Sequence, residues 1–259
     1  MSEHISVKQD GAVMRLGFNR PEKRNAITTE MYGALADGMT RAEQDPATRV
    51  VLFESTGDIF TAGNDIADFM AGNSSPSDSH DLPPVVRFLH ALATAEKPLV
   101  AAVQGGAVGV GVTMLFHCDL VFAAESATFH MPFVDLGLVP EAASSLLIPA
   151  HIGHQRAAEL LISGKKISAV RAYELGFVNK CVPGGELAAL AESEATIIAE
   201  KAPMAVRLTK KLMKGDRTPV LERMKEEGVH FSSQLQSAEF REAGMAFMQK
   251  RKPDFSKLG

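Results

Sequence analysis

Two glycine-rich turns, each following an apolar segment, constrain the fold of this 259-residue chain more than any other feature of its sequence. The first turn, Phe-Thr-Ala-Gly-Asn-Asp, spans residues 60–65, and the second, with four glycines, spans residues 105–111. Glycine lacks a side chain, so such turns let the backbone approach a ligand or another segment closely. Apolar strands that end in turns and lead into helices indicate an α/β core.

The remaining pattern supports that fold class. Alternating residues predict a hairpin over residues 5–18 with Asp10-Gly11 at its turn. Further strands are predicted at residues 49–55, 99–103 and 119–124. Helices are predicted after a cap at Thr28, at 85–95, 108–117, 141–151 and 154–163, and between Ser168 and Gly176.

The pattern changes near the C-terminal end of the chain. After Pro183 it is almost entirely helical. We therefore predict a core over residues 1–195 and a helical region over residues 196–259, with the boundary near residue 195. A hydrophobic content of 46% suffices for one large core with a smaller appendage.

Composition argues against several classes of protein. The net charge of −4 and the absence of Trp give no indication of a nucleic-acid partner. No apolar run reaches the ~18 residues of a membrane span. The two cysteines, Cys118 and Cys181, lie far apart and predict no disulfide framework. Without an evident signal peptide, a cytoplasmic protein is the simplest interpretation.

One carboxylate, Glu141, follows both turns and suggests a chemistry. Two turns can direct peptide N–H groups at one oxygen, and a carboxylate beside that oxygen can move a proton. Those groups suffice to form and quench an enolate. Acidic residues are also favoured in the first turn of a helix, so local sequence leaves a capping role for Glu141 equally open.

Other common site motifs are missing or incomplete. The nucleotide pattern GxGxxG fails at Met114, the P-loop pattern fails at Glu159, and GxSxG is absent. His151 and His154 straddle Gly153, so we predict no metal site there.

Two groups of cationic residues lie near the C-terminus. The first group is predicted to form a solvated helix face and comprises Lys210, Lys211, Lys214 and Arg217. The second group could contact a phosphate and comprises Lys250, Arg251 and Lys252.

Four segments resemble motifs of the crotonase superfamily, also called the enoyl-CoA hydratase/isomerase family. These are NRPEKRNAI at 19–27, FTAGNDI at 60–66, QGGAVGVG at 104–111, and a later helix pair that includes LGFV at 175–178. The similarity extends over essentially the whole chain. It implies an α/β fold with a ββα spiral core and a C-terminal helical region that forms a homotrimer or hexamer.

The resemblance also implies a substrate and its binding residues. The substrate would be an acyl-CoA thioester, with no cofactor beyond its coenzyme A moiety. The oxyanion donors would be the N–H groups of Ala62 and Val110. Coenzyme A contacts would come from Lys23, Arg24, Ala26, Ala62, Gly63, Asn64, Asp65, Ile66 and, at the phosphates, Lys250.

The chain departs from the hydratases of this family at two positions. Those enzymes use two glutamates, and the matching positions here hold Thr113 and Phe133. Glu141 instead matches the catalytic glutamate of the Δ3,Δ2-enoyl-CoA isomerases. The resemblance therefore implies an isomerase that shifts a 3-enoyl-CoA double bond to 2-enoyl-CoA, with residues 72–84 and 85–95 walling the acyl pocket.

Three alternatives remain at this point. One is a hydratase with a rearranged site that uses Glu141 and Asp135. Another is a thioester hydrolase or dehalogenase that uses a carboxylate. The last is a non-catalytic acyl-CoA-binding protein.

Overall fold

The computed structural model describes residues 2–65, 68, 82–256 and 258. Ile66 and most of the predicted loop 72–84 lie outside the described residues. The strands are β1 (Ile5–Asp10), β2 (Val13–Phe18), β3 (Val50–Ser55), β4 (Ile59–Thr61), β5 (Leu99–Val103), β6 (Gly106–Val108), β7 (Leu120–Ala124), β8 (Thr128–His130), β9 (Ile167–Ser168) and β10 (Lys180–Val182). The helices are α1 (Thr29–Gln44), α2 (Pro84–Thr94), α3 (Val110–Thr113), α4 (Ser144–Ile152), α5 (His154–Leu161), α6 (Ala169–Leu175), α7 (Gly184–Ala199), α8 (Pro203–Lys214), α9 (Thr218–Gln234) and α10 (Ala238–Met248).

The larger sheet has the strand order β1-β2-β3-β5-β7-β10. The β1–β2 pair is the predicted antiparallel hairpin, and the other neighbours are parallel. The smaller sheet has the order β4-β6-β8-β9.

Strands of the two sheets alternate along the chain. Each of β3, β5 and β7 is followed by a short strand of the smaller sheet, respectively β4, β6 and β8, before helical structure begins. This repeated order confirms the predicted α/β fold with a ββα spiral core. It also places the segments after β4 and β6 side by side, because these two strands pair in parallel.

The larger sheet separates two hydrophobic clusters. On β3, Val51 and Phe53 belong to the cluster that includes α1 and α2. Their neighbours Val50 and Leu52 belong to the cluster that includes α7. The alternation follows from the strand geometry, in which successive side chains point to opposite faces.

Helix α7 packs directly on the second face of this sheet. Its buried stripe consists largely of alanines, including Ala191, Ala195 and Ala199, and these small side chains allow a close approach. The boundary predicted near residue 195 lies inside this helix. Since α7 packs on the larger sheet, the helices that follow this layer begin with α8.

Helix α8 is anchored by its cations. Lys210 is only 6% exposed and forms a 2.7 Å ion pair with Asp119. Lys214 donates to the carbonyl of His117, and Arg217, just after the helix, donates to the carbonyls of Ala93 and Ala95. The prediction of a solvated face is therefore wrong for Lys210, whose charge is taken up by Asp119. Lys211 and Lys214 are exposed as predicted, and Arg217 is half-buried.

The opposite side of α8 is apolar and exposed. Leu212 and Met213 are 82% and 80% exposed. In the described part of the chain, no helix has both the length and the apolar character needed to cross a membrane.

The segment around Glu141 differs from the prediction. Helix α4 begins at Ser144, not at Glu141. Between them, Ala142 and Ala143 have left-handed backbone conformations, with φ of 61° and 55°. Alanine disfavours this region, so the helix start could not be placed from local propensity.

Candidate active site

The two glycine-rich turns contact each other. A side chain at Gly63, whose φ is +83°, would lie 2.9 Å from the carbonyl oxygen of Val108. A side chain at Gly111 would lie 2.4 Å from the methyl group of Thr61. Both glycines are thus required for close approach, which brings the peptide groups of the two turns to one place.

The first turn is paired with residues 24–27. The N–H of Ala62 donates to the carbonyl of Arg24 at 3.0 Å. On the other side of Gly63, none of the described residues accepts a hydrogen bond from the N–H of Asn64. The prediction of Ala62 as an oxyanion donor is therefore wrong, since its N–H is already used, and the available donor of this turn is Asn64.

Asn25 holds this pairing together and was missed by the sequence analysis. It is fully buried and left-handed, with a φ of 53°. Its amide nitrogen donates to the carbonyls of Thr56 and Ile59 at 2.9 and 2.8 Å, and its amide oxygen accepts from the N–H of Arg20 at 2.8 Å. Asparagine tolerates this conformation better than most residues, and Asn25 also lies within the motif at 19–27.

The second turn leads into α3. Gly109 precedes the helix with a φ of 55°, and its carbonyl accepts from the N–H groups of Val112 and Thr113. Val110 is the first helical residue, and within the described chain its N–H has no acceptor. An N–H at this position of a helix is free by geometry, so Val110 remains available as the predicted donor.

Glu141 and Asn64 line one cavity of about 1070 Å³, whereas Val110 is not among the residues that line it. Burial raises the pKa of Glu141 to about 7, and the negative charge of Glu227 acts in the same direction. The hydroxyl of Thr113 donates to Oε1 of Glu141 at 3.0 Å, which opposes this increase in pKa. At neutral pH the carboxyl group can therefore both accept and release a proton.

The backbone after Glu141 is held from two sides. Burial lowers the pKa of His117 to about 4, so its ring is neutral and Nε2 donates to the carbonyl of Ala142 at 2.8 Å. From α9, Glu227 accepts from the N–H groups of Ala143 and Ser145 at 2.6 and 2.9 Å. Neither His117 nor Glu227 had a local sequence signal.

Tyr32 fixes the side chain of Asn64. Its hydroxyl donates to the amide oxygen of Asn64 at 2.5 Å. Tyr32 is buried, and burial together with the nearby charge of Glu141 raises its pKa well above the ordinary value. The hydroxyl thus stays protonated and keeps its role as a donor.

The cavity is walled mainly by α2 and α9, and α2 contains most of the segment 85–95 for which a wall of the acyl pocket was predicted. Its apolar lining includes Leu82, Val85, Val86, Leu89, Leu221, Met224, Val229, Phe231 and Leu235. Among the described residues, the carboxylates of Asp65 and Asp68 also line it, but Asp65 pairs with Arg20, and Asp68 accepts hydrogen bonds at the start of α1.

A second cavity, of about 780 Å³, lies on the other side of the first turn. Ala62 and Arg24 line it together with polar residues that include Gln104, Thr128, His130 and Lys166.

The predicted coenzyme A residues are divided between the two cavities. Arg24 and Ala62 line the smaller, and Asn64 and Asp65 line the larger. Lys23, Ala26, Gly63 and Lys250 line neither, and Lys250 is exposed after α10.

The positions that depart from the hydratase pattern have clear roles in the structure. Phe133 is buried in the main hydrophobic cluster, and Thr113 contacts Glu141. Asp135 is exposed and lines neither cavity. A rearranged site that uses Asp135 with Glu141 is therefore not supported.

Comparison with known proteins places this site in a family. The family model described as Enoyl-CoA hydratase/isomerase matches residues 8–257. Enoyl-CoA delta isomerase 2 of Rattus norvegicus is 34% identical over 87% of this chain, which spans 58% of that protein. Probable enoyl-CoA hydratase 2, mitochondrial, of Arabidopsis thaliana is 32% identical, with 94% of this chain and 81% of that protein covered.

A solved structure agrees in fold. The crystal structure of an enoyl-CoA hydratase/isomerase from Pseudoalteromonas atlantica T6c superposes with a TM-score of 0.92 at 43% identity, covering 98% of this chain and all of that one. The family model covers nearly the whole chain, and the two relatives align with most of this chain's length. The chain therefore belongs to the enoyl-CoA hydratase/isomerase family.

Proposed function

We propose that this protein moves the double bond of a 3-enoyl-CoA to give the conjugated 2-enoyl-CoA, with Glu141 as the only acid–base group. One observation carries the proposal. Glu141 has a pKa of about 7 and lies in an apolar cavity, while Thr113 and Phe133 stand where the hydratases carry glutamates.

The reaction begins with removal of a proton. The N–H groups of Asn64 and Val110 donate to the thioester carbonyl oxygen and stabilise the negative charge that develops there. The Glu141 carboxylate takes the proton from C2. The C2 electron pair delocalises over the carbonyl and the former 3,4 double bond, which gives a dienolate.

Glu141 then returns the same proton to C4. The new double bond lies between C2 and C3, and the carboxylate is regenerated. One base serves both carbons because they lie on one face of a planar intermediate. A pKa near neutrality suits a group that must accept and donate in one cycle.

The rest of the proposal concerns binding and assembly. Arg24, Ala62, Asn64 and Asp65 line the cavities on either side of the first turn and are proposed to contact coenzyme A. The exposed apolar side of α8 supports association into a homotrimer or hexamer.

A hydratase is the second candidate, because the Arabidopsis relative bears that name at similar identity. Hydration requires activation of water and delivery of a proton to the α-carbon. Each such group contributes ~10²–10⁴ to the rate. The replacement of both glutamates by Thr113 and Phe133 argues against this reaction.

The first prediction tests the wild type and Glu141→Gln with 3-hexenoyl-CoA and, separately, with crotonyl-CoA. We expect the wild type to conjugate 3-hexenoyl-CoA. Glu141→Gln should lose ~10²–10⁴ in rate, because glutamine cannot accept the C2 proton and the other described carboxylates of the cavity are engaged with Arg20 and the start of α1. Ultraviolet absorbance follows conjugation, and mass spectrometry identifies the products. Glu200→Gln, an exposed substitution, is the matched control.

Three results would contradict the proposal. Rapid hydration of crotonyl-CoA without conjugation of 3-hexenoyl-CoA would identify a hydratase. A covalent adduct on Glu141 would identify a nucleophilic thioesterase or dehalogenase. Tight coenzyme A binding with no effect of Glu141→Gln in any assay would identify a binding protein.

A further inference from the structure

We propose that Glu227 is a positioning residue that holds Glu141 in place by closing the backbone turn between Glu141 and α4. The inference rests on the proposed function of Glu141 and extends it to α9, whose Glu227 lies 84 residues further along the chain than Ala143. Glu227 lines neither cavity and would act without touching the substrate.

The turn needs an external partner because its backbone is strained. Ala142 and Ala143 are consecutive left-handed residues, and neither is glycine or asparagine. Such a conformation is disfavoured for alanine and persists only where surrounding contacts impose it. Without those contacts the segment would relax and carry Glu141 with it.

Glu227 supplies two of those contacts. Oε2 accepts from the N–H of Ala143 at 2.6 Å, and Oε1 accepts from the N–H of Ser145 at 2.9 Å. Helix α4 has no capping side chain of its own, and the carboxylate occupies that place at the positive end of the helix. Both oxygens are therefore committed to the backbone that follows Glu141.

The burial of Glu227 supports a specific role. It is only 5% exposed, and a buried carboxylate is costly unless it is paired and hydrogen-bonded. Its partners are the peptide groups of this turn, with the guanidinium of Arg223 nearby. Arg223 also donates to the hydroxyl of Ser145 at 3.2 Å.

The same helix touches the cavity. Met224 and Phe231 line it and lie three residues before and four residues after Glu227. Residues at these spacings share one face of a helix. The helix that lines the cavity therefore also contacts the turn after Glu141, through Glu227.

The charge of Glu227 provides a second measurable effect, which is a change in the pKa of Glu141. Glu227 raises the pKa of Glu141 by repulsion, whereas the hydroxyl of Thr113 lowers it. Among the described residues, the titratable or charged groups that line the cavity or hold the turn, besides Glu141, are Tyr32, Asp65, Asp68, Arg87, His90, His117, Arg223, Lys225 and Glu227. Neutralising Glu227 alone should lower the pKa of Glu141.

The second prediction compares wild type, Glu227→Gln and Glu227→Ala. We expect kcat for 3-hexenoyl-CoA to fall ~10–100-fold in both variants while KM changes little, because the base is misplaced and the acyl cavity is retained. The acid limb of the pH–rate profile should move to lower pH. Amide hydrogen exchange at Ala143 and Ser145 should become faster.

The controls separate a positioning role from a general loss of stability. Glu222→Gln, an exposed substitution on the same helix, should leave all three readouts unchanged. Circular dichroism and thermal melting report whether each variant is folded. Glu227→Gln keeps the side-chain volume and one acceptor oxygen, so it provides the comparison if Glu227→Ala does not fold.

Unchanged kcat, pH profile and exchange in Glu227→Gln would overturn the inference. A fall in kcat explained entirely by an unfolded fraction would overturn it as well. If the wild type does not conjugate 3-hexenoyl-CoA, the proposed function fails, and the exchange measurement alone then decides whether Glu227 holds the turn.

Discussion

The carboxyl group of Glu141 is surrounded by few polar partners, and each has a separate effect. Burial raises its pKa, and the hydroxyl of Thr113 works against that increase. His117 holds the next carbonyl without touching the carboxyl group. At the scale of the residue, the acid–base behaviour of the site should therefore respond most directly to Thr113.

The third prediction removes this hydroxyl. In Thr113→Val, the carboxylate loses a donor that favours its charged form, so the pKa of Glu141 rises. We expect the acid limb of kcat/KM for the 3-enoyl substrate to move to higher pH. A pH–rate profile between about pH 5 and pH 9 measures this, and Thr113→Ser, which keeps the hydroxyl, should behave like the wild type. A limb that stays in place, or moves to lower pH, would show that the hydrogen bond has no such effect.

Single residues also show how far the sequence could predict the site. Glu141 was singled out from its place after the two turns, and the structure puts it in one cavity with Asn64. Ala62 was chosen as a donor instead of Asn64. Both residues border Gly63, and only the contacts with the paired segment 24–27 show which N–H is already bonded.

At the scale of elements, the two turns work as one unit because β4 and β6 pair in parallel. Gly63 closes the contact by approaching the carbonyl of Val108. Gly11, in the β1–β2 hairpin, has a comparable backbone conformation with a φ of 54°, but nothing lies within 4 Å of a side chain placed there. Substitutions at Gly63 and Gly11 therefore allow the effect of a left-handed backbone to be distinguished from the effect of a steric clash.

The fourth prediction uses that pair. Gly63→Ala and Gly11→Ala should each lose roughly 1–2 kcal/mol of unfolding free energy from the left-handed backbone. Gly63→Ala should lose more than Gly11→Ala and should also lower kcat/KM, because its methyl group pushes the two turns apart. Urea denaturation and the conjugation assay measure the two effects. Equal losses of stability with full activity in both variants would contradict the prediction.

Elements with local signals were predicted well. The hairpin, the cap at Thr28, the central strands and α6 with its cap at Ser168 all agree with the structure. The start of α4 was wrong because Glu227, far away in sequence, imposes the turn before it. Lys210 was assigned to solvent for a similar reason, since its partner Asp119 lies on another element.

For the whole molecule, the free energy of unfolding depends on pH because Glu141 and His117 have shifted pKa values in the folded state. The pKa of Glu141 is raised from 4.5 to about 7, so the folded protein binds this proton more tightly than the unfolded chain does. The contribution of this proton to the free energy of unfolding is fully present below about pH 4.5 and is lost as the pH rises through about 7. His117 has the opposite dependence, because its lowered pKa costs stability as the pH falls from 6.5 towards 4.

The fifth prediction isolates Glu141 by comparing the wild type with Glu141→Gln. Between about pH 5 and pH 8, the wild type should lose up to about 3 kcal/mol of unfolding free energy relative to the variant. Urea titrations at both pH values measure the difference. Glu200→Gln should show no such pH-dependent difference. A constant gap between wild type and Glu141→Gln would show that folding does not alter the pKa of this carboxyl group.

The fold class could be predicted for the whole molecule because motifs and strand–helix alternation extend along the chain. Its division at residue 195 and its assembly into a homotrimer or hexamer stay predictions. Residue 195 lies within α7, and the exposed apolar side of α8 is what an interface between copies would cover.

Ala62 and Asn64 lie two residues apart, yet they line different cavities on opposite sides of Gly63. A substitution at one of these positions alters one cavity and leaves the walls of the other intact. We therefore expect a substitution at Ala62 to alter ligand contacts in the smaller cavity only, and one at Asn64 to alter contacts in the larger cavity only, with Gly63 between them.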